Sequence, residues 1–412
     1  VMTVHRAISD QGTVAGLRIE TVDRLDDFRA LRSDWEALEQ KDTEGTVFLS
    51  WVWLSQAFER TTGRWRVITA WMGQDLVAVL PLKYRVHWSK TRTEFQTEIE
   101  AGGRLLWSEY TGFLCHPAYE EAAIKAIGEH LQGIPWVKLS LRYVLSRRRA
   151  DYFASSFSQD AFRFRYKPYR INRGETDNLL CPQVALPNSY DQYLSDCLSR
   201  NSRQKIKRFE RKFLDGGALT FAATTDHVRD IDALLALWWA KWSPVKGAET
   251  ARQVAANYRH VLMAAQTLGL LYLSVLRDGD RTLGALGHVL DPLHKRVHFI
   301  VAGRDERAKG HHIGALLHSQ SIRWAIENGY RVYDFCHGNE SYKYGYGAKD
   351  VQALYLSIRP RNLQEPGGHL DGMSHKEALA RVLSFVEDGQ NDRAAAGTRQ
   401  LLEQLHKRDI RP

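Results

Sequence analysis

One local pattern occurs twice in this chain and limits its fold more than any other feature. Residues 66–72 and 76–86 are β-type runs that meet at Gly73-Gln74, and 270–276 and 283–290 meet around Asp278-Gly279-Asp280. Gly and Asp-Gly accept the positive φ that so short a turn needs, so each pair reads as a hairpin. In the first half, a helix carrying Leu31, Trp35 and Leu38 and a second over 48–58 come before the hairpin. A strand near 105–114, a helix over 118–131 and a strand over 136–144 follow it. In the second half, helices over 190–213, 230–242 and 249–268 come first. Strand 296–302, a helix over 313–328, strand 331–335 and a closing strand over 351–358 come after. The repeated order predicts an α/β (α+β) protein of two tandem domains, each a mixed central sheet flanked by helices.

The expected organisation is an N-terminal domain over 17–173, a Pro-containing connector over 174–189, a C-terminal domain over 190–360 and a helical tail over 361–412. The tail opens on Pro366, Gly367, Gly368 and Gly372, and Leu379, Val382, Leu383 and Val386 then share a helical face. Such a face suits a packing arm and a homodimer contact alike. At 412 residues the chain exceeds one ordinary core, and 44% hydrophobic with 25% charged residues excludes wholesale disorder.

The four cysteines form no CxxC pair, which argues against a zinc ribbon or a disulfide scaffold and fits a reducing cytoplasm. No run approaches the roughly 18–20 apolar residues of a membrane span. The polar stretch over 1–16 lacks the apolar core of a secretory signal. A net charge of +9 suits phosphate-bearing ligands, nucleic acid or plain solubility, and charge alone does not choose among them.

Two segments carry the chemistry. Arg307-Ala308-Lys309-Gly310-His311-His312-Ile313-Gly314 enters a helix directly after a strand. Glycines and cations at a helix start offer free N–H groups and a positive helix end to a pyrophosphate. An ordinary glycine-containing loop would look the same. Further on, Asp334, His337, Glu340, Tyr342 and Lys343 crowd the C-terminal edge of a strand, where open α/β sheets bind ligands. Asp334 is a carboxylate in an otherwise apolar strand and needs partners. Glu340 or His337 is placed to act as general base on an ammonium group, Tyr342 to protonate a thiolate, and Lys343 to hold an anion. The plainer alternative has Asp334 bonding the backbone of its own loop.

A third feature is the helix over 190–213, where Arg200, Arg203, Lys207 and Arg211 recur at helical spacing as a positive stripe for an anionic acceptor, for RNA, or simply for solvent. His311 and His318 stand seven apart without a carboxylate at ligand spacing, so no metal is expected.

Trp35-Glu36-Ala37-Leu38, Phe48 to Leu54, Leu76 to Leu82 and Ser108-Glu109-Tyr110 in the first half have counterparts in a known family. So do Tyr190 to Leu194, the basic stretch Ser199 to Arg208, Lys241-Trp242, Gly314, Trp324, Gly329, Asp334-Phe335, Gly338, Glu340 and Tyr342-Lys343 in the second. Over about residues 17–358 the chain resembles the double-GNAT family named for the CelD/BcsL acetyltransferases of cellulose and exopolysaccharide gene clusters, itself similar to FemAB-type transferases.

The resemblance implies acyl transfer from acetyl-CoA or another acyl-CoA to an amine of a small metabolite or sugar. Phe299, Ile300, Val301 and Ala302 would meet the acyl-pantetheine arm, and Arg307, Lys309, Gly310 and Gly314 the pyrophosphate. Glu340 or Asp334 would serve as base, Tyr342 as acid and Lys343 as a group orienting the acceptor. Arg200, Arg203, Lys207 and His337 would bind substrate, and the first half would be non-catalytic. His312 stands where the superfamily pattern has Gly or Ala. Transfer from aminoacyl-tRNA, or a non-catalytic scaffold of a polysaccharide assembly, are the competing expectations.

Overall fold

The computed structural model describes residues 16–363 and 366–409. The polar stretch over 1–15 and the end of the tail lie outside the described residues. The chain forms two compact units, one comprising Val1–Pro168 and Ala353–Pro412, the other Tyr169–Gln352. Each has a mixed sheet flanked by helices, as the repeated order of elements predicts.

The first sheet takes β1 (Leu17–Val22), β2 (Trp65–Met72), β3 (Asp75–Ser89), β4 (Glu94–Ala101), β5 (Lys138–Val144) and β6 (Phe162–Tyr166) from the first part of the chain. All its pairings are antiparallel except β4 with β5, which run parallel over three rungs, Glu98↔Lys138 to Glu100↔Ser140. The β2–β3 hairpin closes at Met72↔Asp75 around Gly73, whose φ is 61°. Around this sheet lie α1 (Arg32–Lys41), α2 (Trp51–Arg60), α3 (Glu120–Gln132) and α4 (Arg147–Ser155). Ser50 starts α2 by accepting from the Trp53 amide, and Ala123, Ile124, Ile127 and Leu131 line the face that α3 buries against Ile68, Leu80 and Leu139.

Of the strand expected near 105–114 only Leu114–Cys115 forms, paired antiparallel with β3, after a helical turn over Gly102–Leu106; the longer strand of this region is β4. Its polar row of Glu94, Gln96, Glu98 and Glu100 alternates with Phe95, Thr97, Ile99 and Ala101. Across the ladder Lys83 and Arg85 meet Glu100 at 3.2 and 3.1 Å, and neutralisation by a neighbouring strand lets the acidic row pair.

The second sheet runs β8-β9-β10-β11-β12-β7-β13. Its strands are β7 (Leu180–Ala185), β8 (Thr220–Ala223), β9 (Leu271–Asp278), β10 (Arg281–Asp291), β11 (Arg296–Arg304), β12 (Val332–Asp334) and β13 (Lys349–Gln352). Again one pair is parallel: β11 and β12 share three rungs, Arg296↔Val332 to His298↔Asp334. The helices are α5 (Arg200–Phe209), α6 (His227–Lys246), α7 (Ala248–Thr267), α8 (Ile313–Glu327) and α9 (Ser341–Tyr344). The backbone of α6 passes so close to β11 that a Cβ on Gly303 would collide with the Leu234 carbonyl oxygen. The single helix expected over 190–213 is broken at Leu198, where ψ is 144°, and restarts with Ser199 as its cap.

Two other elements differ from the sequence reading. The expected connector contains β7, which pairs with β12 on one side and β13 on the other. Pro182 disguises it, yet a proline costs no acceptor, and its carbonyl takes the Phe335 amide at 2.9 Å. The expected strand over 351–358 is divided at Ala353. Its first part is β13, and its second is β14 (Leu354–Pro360), which lies between β5 and β6 in the first sheet.

The tail forms α10 (His375–Glu387) and α11 (Asn391–Asp409). Ala378, Val382, Phe385 and Leu401 pack on Trp88 and Phe95 of the first sheet, and Gln400 bonds both the N–H and the C=O of Phe95. Leu379, Leu383 and Val386 remain exposed, so of the four residues expected on one face only Val382 is buried. Among the described residues no helix is long and apolar enough to cross a membrane.

The first unit is pinned by a buried ion network. Arg149 meets Asp42 through two bonds of 2.8 Å and Glu120 at 2.9 Å, with arginine and aspartate almost wholly buried. Removing the guanidinium strands two carboxylates. Arg149→Met is therefore expected to cost about 3–5 kcal/mol in denaturant unfolding. Arg148→Met, whose half-exposed side chain meets the same Glu120, should cost no more than about 1 kcal/mol.

Candidate functional site

Past the rung His298↔Asp334 β12 no longer accompanies β11, which stays paired with β10 on its other side, so Phe299, Ile300, Val301 and Ala302 lie where the parallel pair parts. The cause sits at the rung itself. The Asp334 carboxylate is buried and accepts from Gln183 Nε2 at 3.0 Å, His298 Nδ1 at 3.2 Å and the Cys336 amide at 2.8 Å. The last of these bonds turns the chain out of the sheet, with Cys336 at φ 52°. The ligand atoms of His298, Asp334 and Cys336 lie within 4.8 Å of one another, the one group among the described residues with metal-binding potential. A metal there would have to displace hydrogen bonds that already satisfy the carboxylate.

From the far end of β11 the chain enters the loop predicted to cradle an anion. Arg307 is exposed and bonded to Asp305 at 3.0 Å. The arginine contacts of Asp305, from Arg307 and Arg281, hold its carboxyl well below the usual range. The side chain of Lys309 lies outside the described residues. Around Gly310 there is open space, and a Cβ on Gly314 would meet only the Arg304 guanidinium at 3.7 Å. The first two amides of α8, those of Ile313 and Gly314, have no acceptor among the described residues.

His312 takes the left-handed conformation itself, φ 50° and ψ 40°, and stacks on Phe209 of α5 with ring centroids 3.8 Å apart. His311 leans on Phe213, while His318 faces the sheet from α8, so the two histidines considered as a metal pair serve different surroundings. The stack brings α5 to the loop. Burial, then Arg208, Lys205 and Lys212, push the His312 imidazole below its ordinary value.

The loop and the residues after β12 meet. Tyr346 donates to the Gly314 carbonyl at 3.2 Å, and Tyr342 and Tyr346 lie 5.7 and 5.2 Å from the His318 ring. Tyr342 is half-exposed, and desolvation together with the Glu340 carboxylate raises its phenol well above the ordinary tyrosine value, keeping it a proton donor at neutral pH. Lys343 behaves differently from the expected acceptor ligand. It is buried, and its ammonium donates to the His337 and Gly338 carbonyls, both at 2.7 Å, and meets Glu340 at 3.0 Å. Its three donors are spent on the loop that carries His337 and Glu340.

Of the basic stripe, Arg203 and Lys207 line a groove of about 1130 Å³ between α5 and α8, joined by Lys205, Arg208, Arg211 and Arg323, while Arg200 stands at the helix start outside it. None of Arg200, Arg203, Lys205, Lys207, Arg208 and Arg211 has a carboxylate partner among the described residues. The groove also holds Glu210, bonded by Tyr190 at 2.6 Å and Gln320 at 2.7 Å, with its carboxyl raised by burial.

Sequence reasoning passed over Glu210, His298 and a buried chain joining His288, Tyr333 and His318. The one signal was a histidine inside each of three apolar elements. Tyr333 lies 2.8 Å from His288 Nε2 and 3.1 Å from His318 Nδ1.

A mixed sheet whose single parallel pair parts beside a helix start with open amides is the architecture expected of a GNAT-type acyltransferase. Residues 200–344 match the family described as the acetyltransferase (GNAT) domain, which makes the second unit an acyltransferase domain of that type. Among solved structures the chain is similar to FemX, with a TM-score of 0.56 at 9% identity over 82% of this chain and 96% of that one. It is also similar to the C-terminal domain of a putative lysylphosphatidylglycerol synthetase from Agrobacterium fabrum, with a TM-score of 0.48 at 10% identity over 81% and 92% of the two chains. A tandem GNAT protein from the clavulanic acid biosynthesis pathway gives 0.45 at 10% identity over 84% and 100%. At such identities the likeness to FemX speaks for the fold alone. A search of curated proteins finds no match.

His288 is buried and its imidazole is pushed down to about 3 by desolvation. The unfolded chain binds this proton below about pH 6.5 and the folded chain does not, so acid favours unfolding. Thermal melting should therefore drop progressively from pH 6.5 towards 3, and His288→Gln should show a shallower drop over the same window.

Proposed function

We propose that the second unit transfers an acetyl or longer acyl group from an acyl-CoA to the amine of a small metabolite or sugar. The observation that carries this reading is the open start of α8, with unengaged amides at Ile313 and Gly314, lying beside the parted β11 edge and Tyr342. Phosphates at those amides would also feel Lys205, Arg208 and Lys212, which the His312–Phe209 stack holds near the loop. The acyl-pantetheine arm would lie along Phe299 to Ala302. Tyr342 gives its proton to the departing thiolate. Of the two carboxylates considered as base, Asp334 has its oxygens taken by three donors, which favours Glu340 as the group that strips the first proton from an incoming ammonium. Arg203 and Lys207 suit an acceptor that carries anionic groups. The cytoplasm, and a role in exopolysaccharide or cellulose assembly of the CelD/BcsL kind, belong to the same proposal. The exposed Leu379, Leu383 and Val386 row supports a second copy as partner of the tail.

Acetyl-CoA at a hundredfold excess over its Kd should stabilise the wild type by roughly 2.7 kcal/mol in a thermal-shift titration. Gly314→Glu, which brings a carboxylate to the anion site, should abolish that shift. RNA binding with a steep salt dependence, and no response to acetyl-CoA, would favour the aminoacyl-tRNA alternative instead. For the tail, sedimentation should find a dimer that Leu383→Glu converts to monomer. A wild-type monomer would end the pairing proposal.

A further inference from the structure

The buried chain of hydrogen bonds behind the site fixes the protonation of every group in it. His288 Nδ1 lies 3.1 Å from the Tyr272 carbonyl oxygen, which only accepts, so this nitrogen carries the proton. With desolvation holding His288 neutral, its Nε2 is bare and accepts from the Tyr333 hydroxyl at 2.8 Å. Tyr333 has one proton to give, so at 3.1 Å His318 Nδ1 must be the donor to the Tyr333 oxygen. Burial, then His288 and Lys343, hold His318 neutral as well. Its Nε2 is therefore a lone pair, and it has no hydrogen-bond partner among the described residues.

That lone pair belongs to a ring framed by the residues where the strands part. Phe299, the first residue of β11 beyond the last shared rung, lies 4.8 Å from His318, and Phe335, the first beyond β12, lies 5.1 Å away. Tyr342 and Tyr346 close the frame. His318 thus projects from the helix that begins at the anion loop and lies next to the tyrosine placed to meet the thiolate. Among the described residues Lys343 is the one cationic side chain whose charge acts on it; Tyr333 links it to His288.

We propose that His318 is a catalytic residue of the acyl transfer, taking at Nε2 the proton that the amine nitrogen loses as it bonds to the acyl carbon. The proposal rests on the acyl-CoA reading above. In the balanced step a neutral amine adds to the thioester carbonyl, a C–N bond forms and the C–S bond breaks. The nitrogen passes one proton to His318, and the thiolate receives one from Tyr342. Proton return from His318 to Tyr342 resets the site, and amide and free thiol leave. An imidazole that resists protonation is suited to this moment, because the nitrogen becomes strongly acidic only after it has bonded to carbon. Tyr333 acts as a positioning residue, since its oxygen decides which ring nitrogen of His318 stays bare.

The test compares wild type, His318→Gln and Tyr333→Phe in three measurements: acetyl-CoA binding by calorimetry, thiol release with a panel of primary amines, and 15N spectra of labelled histidine. Glutamine leaves an acceptor near the Nε2 position but takes no proton. His318→Gln should lower kcat by about 10²–10⁴-fold. Acetyl-CoA Kd and amine KM should stay within about twofold of wild type. The wild-type spectrum should show an unprotonated Nε2 at His318, and Tyr333→Phe should mix the two tautomers and lower kcat with acetyl-CoA binding intact. A protonated Nε2 in the wild type would overturn the assignment without any variant, and so would His318→Gln turning over at the wild-type rate. A wild type that binds acetyl-CoA but is matched by its variant sinks only the role of His318. One that binds no acetyl-CoA sinks the acyl-CoA reading and this proposal together.

Discussion

The second sheet turns on a carboxylate buried inside a strand. Desolvating Asp334 costs several kcal/mol unless every lone pair finds a donor, and the donors come from three separate places: Gln183 on β7, His298 on β11 and the amide of Cys336 just beyond β12. One side chain thereby ties three neighbouring strands at a single rung. It also ends that rung, because the bond to Cys336 draws the chain into a left-handed turn that cannot continue the ladder. The gap beside Phe299 to Ala302 follows from this, as does the placement of Phe335, Tyr342 and Tyr346 around the face of α8.

What the sequence disclosed was local. Both hairpins, the helix from Ile313 and the oddity of Asp334 could be read from patterns spanning a few residues, because turn chemistry and side-chain periodicity act at that range. The strands that escaped it have partners far away in the chain. β7 pairs with β12 across about 150 residues, as Gln183↔Asp334 shows, and its proline argues against a strand until the partner that needs only its carbonyl is known. β13 and β14 look like one strand in the sequence because nothing in that stretch marks the point where the chain leaves one sheet for the other. β4 escaped as well, and its acidic row is neutralised from several places: Lys83 and Arg85 on β3, Lys138 on β5 and Arg92 just before it.

The site was half legible by the same rule. Residue types pointed to Tyr342 and to the glycines of the loop, and the fold brings these together at α8. Lys343 looked like a ligand-binding cation, but two of its three acceptors are main-chain carbonyls, which no sequence pattern displays. The chain from Tyr272 through His288 and Tyr333 to His318 draws on β9, β10, β12 and α8, so its logic exists only after folding. A lone histidine in an apolar run is ordinarily a satisfied core group. Three of the four ring nitrogens here fit that description, and the fourth does not.

The loop shows how one substitution redistributes its work. A small residue at position 312 would take positive φ without strain and leave the phosphate site to backbone amides alone. His312 accepts the strain, of order 1–3 kcal/mol for such a conformation. It offsets that cost by stacking on Phe209. The stack has an electrostatic consequence, because it holds α5 with Lys205 and Arg208, and the turn after it with Lys212, near amides already polarised towards anions. Burial in the stack, and then those same cations, push the His312 imidazole below its ordinary value, so the packing that fastens α5 opposes a charge on the ring. Under the proposed acyl-CoA reading, anion affinity lost with a glycine would be supplied from this neighbouring segment, while the first two α8 amides have no acceptor among the described residues.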